Sequence, residues 1–267
     1  MTLHFRLEEH GAAQTVLFLH GFMGQAEDWQ SVQAHLSGTF NLLAVDLPGH
    51  GKSLIHPETE NELNAKLFFD LLNRLLERLA IRQLSVVGYS LGGRLALQWA
   101  VKYPQKVERL VLESVHPGLE REEARQERMQ SDAALSARLA REGFDLPSFL
   151  QEWYAMPLFG KLREHAKFPE LLQRRLQGDP RQWALALRAF SLGRQPALWN
   201  RLSDLPPTLV ICGASDEKYR KIGGQMQKHH PELKLEIAAH CGHTVHFEAP
   251  RWFAEKIKHF LLSKEAE

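Results

Sequence analysis

Short apolar segments alternate with longer amphipathic ones along the chain. The apolar segments are rich in valine, leucine and isoleucine and end in turn-forming residues; they span 15–21, 41–49, 84–90, 107–115, 207–216 and 233–243. Nearly continuous apolar runs of this length are typical of parallel strands that are buried on both faces. Apolar residues at helical spacing occupy 65–80, 93–103 and 251–263. This alternation predicts an α/β fold, a mostly parallel sheet flanked by helices.

One long segment interrupts the alternation, because no strand pattern occurs between residues 118 and 196. The segment opens with a charged helical run, "EREEARQERMQSDAALSARLAREG", and continues in shorter helical patterns. Ligands of open α/β sheets bind at the carboxyl ends of the strands. We therefore expect a helical cap, 118–196, inserted after the strand that ends near Ser114, and a core formed by 1–117 and 197–267.

Composition narrows the possible partners and the compartment. The 267 residues carry a formal net charge of +1, which provides no overall field to attract nucleic acid or an anionic membrane. No segment approaches the ~20 apolar residues of a membrane span, and the first residues are too acidic for a secretion signal. Two cysteines make no disulfide framework in a chain of this size, which favours a reducing compartment. We expect a cytoplasmic protein without nucleic-acid or membrane partners.

The segment "VGYSLGGRL" has the pattern G-x-S-x-G between a predicted strand and a predicted helix. This arrangement is the nucleophile elbow of α/β-hydrolases, in which glycines permit a strained turn around the serine. A serine hydroxyl is a poor nucleophile and a poor base unless an imidazole takes its proton. The pattern predicts Ser90 as the catalytic serine, followed along the chain by an acid and then a histidine.

The acid and the histidine are predicted from the loops after the last two strands. Asp216 directly follows a strand; it could instead cap the next helix, and Glu113 at the end of an earlier strand is the rival acid. Of three clustered histidines, His243 lies in a loop from which an imidazole can reach the serine. We expect His240 at the strand end and His246 under the final helix.

The oxyanion hole is predicted to use two backbone N–H groups. One belongs to Leu91, directly after the serine, and the other to Phe22 in the glycine-containing loop "LHGFMG", which His20 could hold in place. No zinc-binding spacing such as C-x-x-C or H-E-x-x-H occurs, so we expect no metal and no cofactor. The segment "GHGKS" lacks the first glycine of a phosphate-binding loop and is interpreted as an ordinary loop after a strand.

Several motifs together resemble known families. "HGF", "DLPGHGKS", "VGYSLGGR", "GASD" and "GH" with "FEAP" resemble the α/β-hydrolase superfamily across the whole chain. More narrowly, "ESVHPGL", "ERMQSD" and "EWYAMPLF" resemble the 2-succinyl-6-hydroxy-2,4-cyclohexadiene-1-carboxylate synthases of menaquinone biosynthesis. The resemblance implies a lyase in which a Ser-His-Asp triad removes a ring proton α to a carbonyl. Pyruvate is then eliminated from 2-succinyl-5-enolpyruvyl-6-hydroxy-3-cyclohexene-1-carboxylate.

The resemblance also implies how a small-molecule tricarboxylate would be bound. Arginine binds a carboxylate through two parallel hydrogen bonds, which lysine cannot do. The positions that match the family's substrate-binding residues are Arg94, expected beside Ser90, with Arg128, Arg175, Tyr89 and Trp153.

Four of these assignments have an alternative. Arg128 could lie on a solvated helix face, paired with an acidic residue one turn away. The sequence does not separate Arg175 from its neighbour Arg174. Trp153 could belong only to the core of the cap, and Tyr89 could act only through its backbone.

Three functions remain open from the residues themselves. The first is the lyase; the second is a hydrolase of an anionic ester or C–C bond, with Ser90 as a true nucleophile. A Ser-His-Asp triad serves both, although the arginines favour an anionic substrate. The third is a binding module without catalysis. We expect a monomer or a weak oligomer.

Overall fold

The computed structural model describes residues 1–263, which contain one seven-stranded sheet. The strands are β1 (Phe5–Glu8), β2 (Thr15–Leu19), β3 (Asn41–Val45), β4 (Leu84–Tyr89), β5 (Val107–Glu113), β6 (Thr208–Gly213) and β7 (Lys234–Ala238). Their order in space is β1-β3-β2-β4-β5-β6-β7. Strand β1 pairs antiparallel with β3, and every other pairing is parallel.

Ten α-helices occur in the same range of residues, joined in places by short 3-10 turns. They are α1 (Gln30–Leu36), α2 (Ala65–Arg78), α3 (Ser90–Lys102), α4 (Glu122–Leu139), α5 (Leu146–Tyr154), α6 (Phe168–Leu176), α7 (Pro180–Ala189), α8 (Glu217–His229), α9 (Val245–Glu248) and α10 (Pro250–Leu262). Among residues 1–263, no helix is both long enough and apolar enough to cross a bilayer.

The predicted fold class is confirmed, and all six predicted strands are present as β2 to β7. The pattern did not reveal β1, whose four residues are all half-exposed and therefore form no apolar run. It is an edge strand, held by pairing with β3 in a register that sets Phe5 opposite Val45.

The sheet is covered on both faces, which explains its apolar strands. In β2, Leu17 and Leu19 face a cluster that includes Phe68 of α2 and Trp99 of α3. The alternate side chains of β2 face a second cluster, which α1 and α10 complete. Since successive strand residues point to opposite faces, a strand buried on both must be apolar at almost every position.

Helices α4 to α7 form an insertion between β5 and β6, within 118–196. The insertion has an apolar cluster of its own, which includes Phe149 and Trp183 and also takes in Met23 from the loop after β2. Its two ends lie side by side, because the N–H of Leu198 donates to the carbonyl of Pro117 at 2.9 Å. The insertion therefore packs on a loop at the carboxyl end of the sheet.

Candidate active site

Ser90 lies at the junction of β4 and α3 with a φ of 49°, in the left-handed region that non-glycine residues rarely adopt. The turn is tight because α3 packs directly against β2. A Cβ on Gly92 would lie 2.4 Å from the carbonyl oxygens of Leu19 and His20. N–H groups in the first turn of a helix have no intrahelical partner, and that of Leu91 is one of them.

Ser90, His243 and Asp216 form a hydrogen-bonded chain. His243 Nε2 lies 3.3 Å from Ser90 Oγ, and His243 Nδ1 lies 2.6 Å from Asp216 Oδ2. Asp216 also caps α8, since its Oδ1 accepts the N–H of Tyr219 at 3.3 Å. The side chains of Asp216 and His243 are buried. This chain can take a proton from the serine and hold the imidazolium that results.

The rival acid is occupied elsewhere. Glu113, fully buried at the end of β5, accepts hydrogen bonds from Nδ1–H of His246 at 2.8 Å and from its backbone N–H at 3.0 Å. His246 packs against Phe253 of α10, as expected. His240 is exposed in the turn after β7 with a φ of 62°, and so lies beyond the strand end where we expected it.

The loop after β2 is fixed by His20. Its Nε2 accepts the N–H of Leu47 at 2.9 Å, and its Nδ1–H donates to the carbonyl of Gly21 at 2.7 Å. Burial lowers the pKa of His20, which keeps it in the neutral form that these two bonds require. Among residues 1–263 the N–H of Phe22 has no hydrogen-bond partner, so it is available to a ligand.

A cavity of about 70 Å³ joins these elements. Ser90, His243, Phe22, Tyr89 and Trp153 are among the residues that line it. The Tyr89 ring lies 5.4 Å from that of His243, and burial raises the pKa of Tyr89 well above its ordinary value. The Trp153 ring lies 5.7 Å from that of Phe22, so a side chain of the insertion meets the predicted oxyanion loop.

The structure separates Arg175 from Arg174. Arg175 is buried, lines the Ser90 cavity, and donates to Asp28 from two nitrogens, at 2.6 and 3.1 Å. It also donates to the hydroxyl of Tyr154 at 3.2 Å. Arg174 donates to the same carboxylate of Asp28 at 3.1 Å but does not line the cavity.

We expected Arg94 beside Ser90, but Arg94 does not line the Ser90 cavity. It lines a separate cleft of about 440 Å³, and its guanidinium donates to the carbonyl of Phe190 at 2.9 Å and to Gln195 Oε1 at 3.1 Å. The physical reason is that α7 ends at Ala189, and the last carbonyls of a helix have no intrahelical donor. A cation is favoured at that end.

Arg128 pairs with a buried acid one helical turn away. Its Nε donates to both oxygens of Asp132 at 2.9 Å, and Asp132 also accepts from the hydroxyl of Ser191. Burial, with a smaller contribution from the charge of Arg128, lowers the pKa of Arg94 to about 10. Arg94 therefore lies on a different cleft from Arg175.

Two residues of the site were not predicted from the sequence. Asp28 follows the predicted oxyanion loop, and Tyr154 lies on α5; both contact Arg175. Tyr154 lies in "EWYAMPLF", from which only Trp153 was predicted to contact the substrate. Asp28 and Arg175 stand 147 positions apart, so no local pattern indicates their pairing. Among residues 1–263, no group of three His, Cys, Asp or Glu side chains is arranged to hold a metal ion.

Comparisons of sequence and of structure with known proteins indicate the same family. Residues 14–250 match the alpha/beta hydrolase fold family. The chain is 35% identical to the 2-succinyl-6-hydroxy-2,4-cyclohexadiene-1-carboxylate synthase of Pectobacterium atrosepticum, over 94% of this chain and 97% of that protein. It is 34% identical to the synthase of the same name from Salmonella agona, over 93% and 94% of the two chains.

The solved structure of MenH from S. aureus superimposes with a TM-score of 0.89 at 31% identity and covers 97% of both chains. Identity above 30% over nearly the whole length of these relatives goes beyond a shared fold. The chain belongs to the 2-succinyl-6-hydroxy-2,4-cyclohexadiene-1-carboxylate synthase family, within the alpha/beta hydrolase fold.

Proposed function

We propose that this protein is a lyase of menaquinone biosynthesis. It eliminates pyruvate from 2-succinyl-5-enolpyruvyl-6-hydroxy-3-cyclohexene-1-carboxylate and leaves 2-succinyl-6-hydroxy-2,4-cyclohexadiene-1-carboxylate. One structural observation supports the proposal in addition to family membership. Ser90 and His243, which are hydrogen-bonded in series with Asp216, line the same cavity as the buried side chain of Arg175. A proton-abstracting group thus lies beside a group that recognises carboxylates.

The reaction begins with proton transfer. His243 takes the proton of Ser90, and Asp216 holds the imidazole by its Nδ1–H and stabilises the imidazolium that forms. The serine oxygen then removes the ring proton α to the carbonyl. This role requires no acyl-enzyme, because the serine acts as a base.

Negative charge that develops on the carbonyl oxygen is stabilised by backbone N–H groups. We assign this role to Phe22 and Leu91, the first in a loop that His20 fixes and the second in the first turn of α3. The electron pair of the broken C–H bond forms a ring double bond at the succinyl-bearing carbon. The pair of the existing ring double bond shifts one position along the ring, towards the carbon that carries the enolpyruvyl group, and the C–O bond to that group breaks. The leaving enolate takes the proton from His243 and becomes pyruvate.

Carboxylate recognition is assigned to the arginines. Arg175 lines the Ser90 cavity, whereas Arg94 lines a separate cleft. We assign the further carboxylates of the substrate to Arg94 and Arg128, which would reach them once the insertion has moved. Tyr89 and Trp153 form apolar walls for the ring. We propose that 118–196 act as a cap over the core formed by 1–117 and 197–267.

The cellular setting is part of the proposal. We place the enzyme in the cytoplasm as a monomer or weak oligomer that acts on a small molecule without a cofactor. Both cysteines are free and buried, which fits a reducing compartment.

The test is pyruvate release from the enolpyruvyl cyclohexene tricarboxylate, followed through a coupled lactate dehydrogenase, with Ser90→Ala as the control. Release that depends on Ser90 is the expected result. A parallel assay with a p-nitrophenyl ester separates the alternative. A burst of ester cleavage without pyruvate release would make the protein a hydrolase, and binding without either reaction would make it a binding module.

A further inference from the structure

Asp28 is an internal carboxylate at the wall of the Ser90 cavity. Its side chain is 5% exposed and accepts four hydrogen bonds: two from Arg175, one from Arg174 and one from the N–H of Gln25. Burial alone would raise the pKa of Asp28, but the charges of the two arginines and the bonds of Arg175 lower it to about 2. Asp28 is therefore ionised at neutral pH.

The Asp28–Arg175 pair joins the insertion to the core. Asp28 belongs to the 3-10 turn that follows the predicted oxyanion loop, whereas Arg175 belongs to α6. The two parallel bonds between them have the geometry with which arginine binds the carboxylate of a ligand. Asp28 thus occupies the donors that a substrate carboxylate would need.

The size of the cavity also indicates that the substrate needs the space and the donors that Asp28 and Arg175 now take up. Its volume of about 70 Å³ is well below the ~300–1,000 Å³ of typical small-molecule sites. A cyclohexene ring with succinyl and enolpyruvyl groups does not fit beside Ser90 until the insertion shifts. A shift that moved α6 away from the core would strain or break the bonds between Arg175 and Asp28.

We propose that Asp28 is a specificity-determining residue that a substrate carboxylate displaces from Arg175, while Arg174 keeps Asp28 paired. The inference rests on the proposed function only in requiring a ligand that carries carboxylates. Exchange of one carboxylate for another leaves Arg175 with a counter-ion throughout. A neutral ligand offers no such exchange, and a buried arginine without a partner is strongly unfavourable. Asp28 therefore excludes uncharged molecules of similar shape.

Citrate, a small tricarboxylate, serves as the probe, with its binding to the full chain measured by titration calorimetry at low salt. Asp28→Asn keeps the shape of the side chain but removes the competing charge, so we expect about tenfold tighter citrate binding. In an Arg175→Gln background, the same substitution should leave citrate binding unchanged. Equal or weaker binding to Asp28→Asn, or a gain that persists without Arg175, would overturn the proposal.

Arg174→Gln provides a second test that does not depend on the folding of the Asp28 variant. It removes the group that retains the displaced Asp28, so we expect at least tenfold weaker citrate binding. Arg181→Gln is the matched control: Arg181 is exposed on α7 and forms no ion pair among residues 1–263. Equal citrate affinities for the two arginine variants would contradict the role of Arg174 and with it the exchange.

The pyruvate assay distinguishes failure of this inference from failure of the proposed function. Tighter citrate binding to Asp28→Asn in a protein that releases no pyruvate would support the displacement of Asp28 and refute the lyase. Ser90-dependent pyruvate release together with unchanged citrate binding in Asp28→Asn would support the lyase and refute the displacement.

Discussion

Glu113 holds His246 by two groups at once, the ring Nδ1–H and the backbone N–H. Both residues are buried, and this carboxylate makes no hydrogen bond to His243 among residues 1–263. Asp216 is the acid that His243 contacts, at 2.6 Å. The two carboxylates at the ends of neighbouring strands therefore serve different histidines.

This division of partners predicts different effects for two isosteric substitutions. Asp216→Asn should lower kcat for pyruvate release by about 10⁴, because an amide does not hold the imidazole in the required tautomer. Glu113→Gln should retain most of the activity, since the Ser90–His243 contact does not depend on it. Steady-state kinetics on both variants check this; losses of equal size would mean that Glu113 takes part in the relay.

Ser90 and His243 should behave as a unit. Ser90→Ala and His243→Ala should each abolish most of the turnover, and the double variant should lose little more, because either change alone stops proton transfer. Single-turnover pyruvate release from the three variants measures this. Fully additive losses would show that the two residues act in separate steps.

The contacts of Arg94 predict a cost in stability. Arg94→Lys should lower the free energy of unfolding by about 1.5–3 kcal/mol, because a single ammonium nitrogen cannot occupy the two positions from which the guanidinium reaches Phe190 and Gln195. The control is Arg188→Lys, an exposed position on the same cleft, for which we expect a change within about 0.5 kcal/mol. Urea unfolding compares them, and equal stabilities would show that the two bonds contribute little.

The close approach of α3 to β2 can be tested with two glycines. Gly92→Ala forces a Cβ to within 2.4 Å of two carbonyl oxygens, so we expect severe destabilisation, about 3 kcal/mol or more, or loss of folding. Gly224→Ala, on α8, has open space and should stabilise the protein by about 0.5–1 kcal/mol. Thermal unfolding measures both. Similar melting temperatures would mean that the elbow can relax to admit a side chain.

His116 should make stability depend on pH. Burial, with the nearby charges of Lys218 and Arg94, lowers its pKa to about 4. The unfolded chain therefore binds a proton below about pH 6.5 that the folded protein resists, so stability is lost as the pH falls from 6.5 towards 4. The full effect is about 2–3 kcal/mol. In the folded protein Nδ1 of His116 accepts the N–H of Gly118 at 3.0 Å.

The measurement is the free energy of unfolding at pH 7 and at pH 5, in the native protein and in His116→Asn. The variant keeps an acceptor but does not titrate, so it should lose less stability over this interval. An identical loss in both proteins would assign the pH dependence to other groups, such as the buried His50, whose pKa also lies well below its ordinary value.

The sequence predicted the parts of the site that local chemistry determines. The strand, the glycines and the serine of the elbow are adjacent in the chain, so Ser90 and α3 could be located from the pattern alone. From the sequence, Asp216 could be either the acid of the triad or the N-cap of the next helix. The structure shows both contacts, because Asp216 bonds to His243 and also caps α8. A carboxylate has two oxygens, so one contact does not exclude the other.

The contacts of the arginines could not be predicted from the sequence, with one exception. The guanidinium position depends on which carbonyls and carboxylates other elements bring near it. Arg94 bonds to the end of α7, and Arg175 bonds to a carboxylate 147 residues away. Neither partner lies within the spacing of a helical turn, whereas the Arg128–Asp132 pair does, and only that kind of pairing could be anticipated.

The hydrogen bond between Leu198 and Pro117 has a consequence for how such an enzyme can diversify. The chain leaves the sheet and returns to it at one point, after Ser90 and Glu113 and before Asp216 and His243. A different helical segment can be spliced between these two positions without altering the register of any strand. Such an exchange would replace Trp153 and Arg175, which the insertion contributes to the cavity, and would leave Ser90, Asp216 and His243 in place.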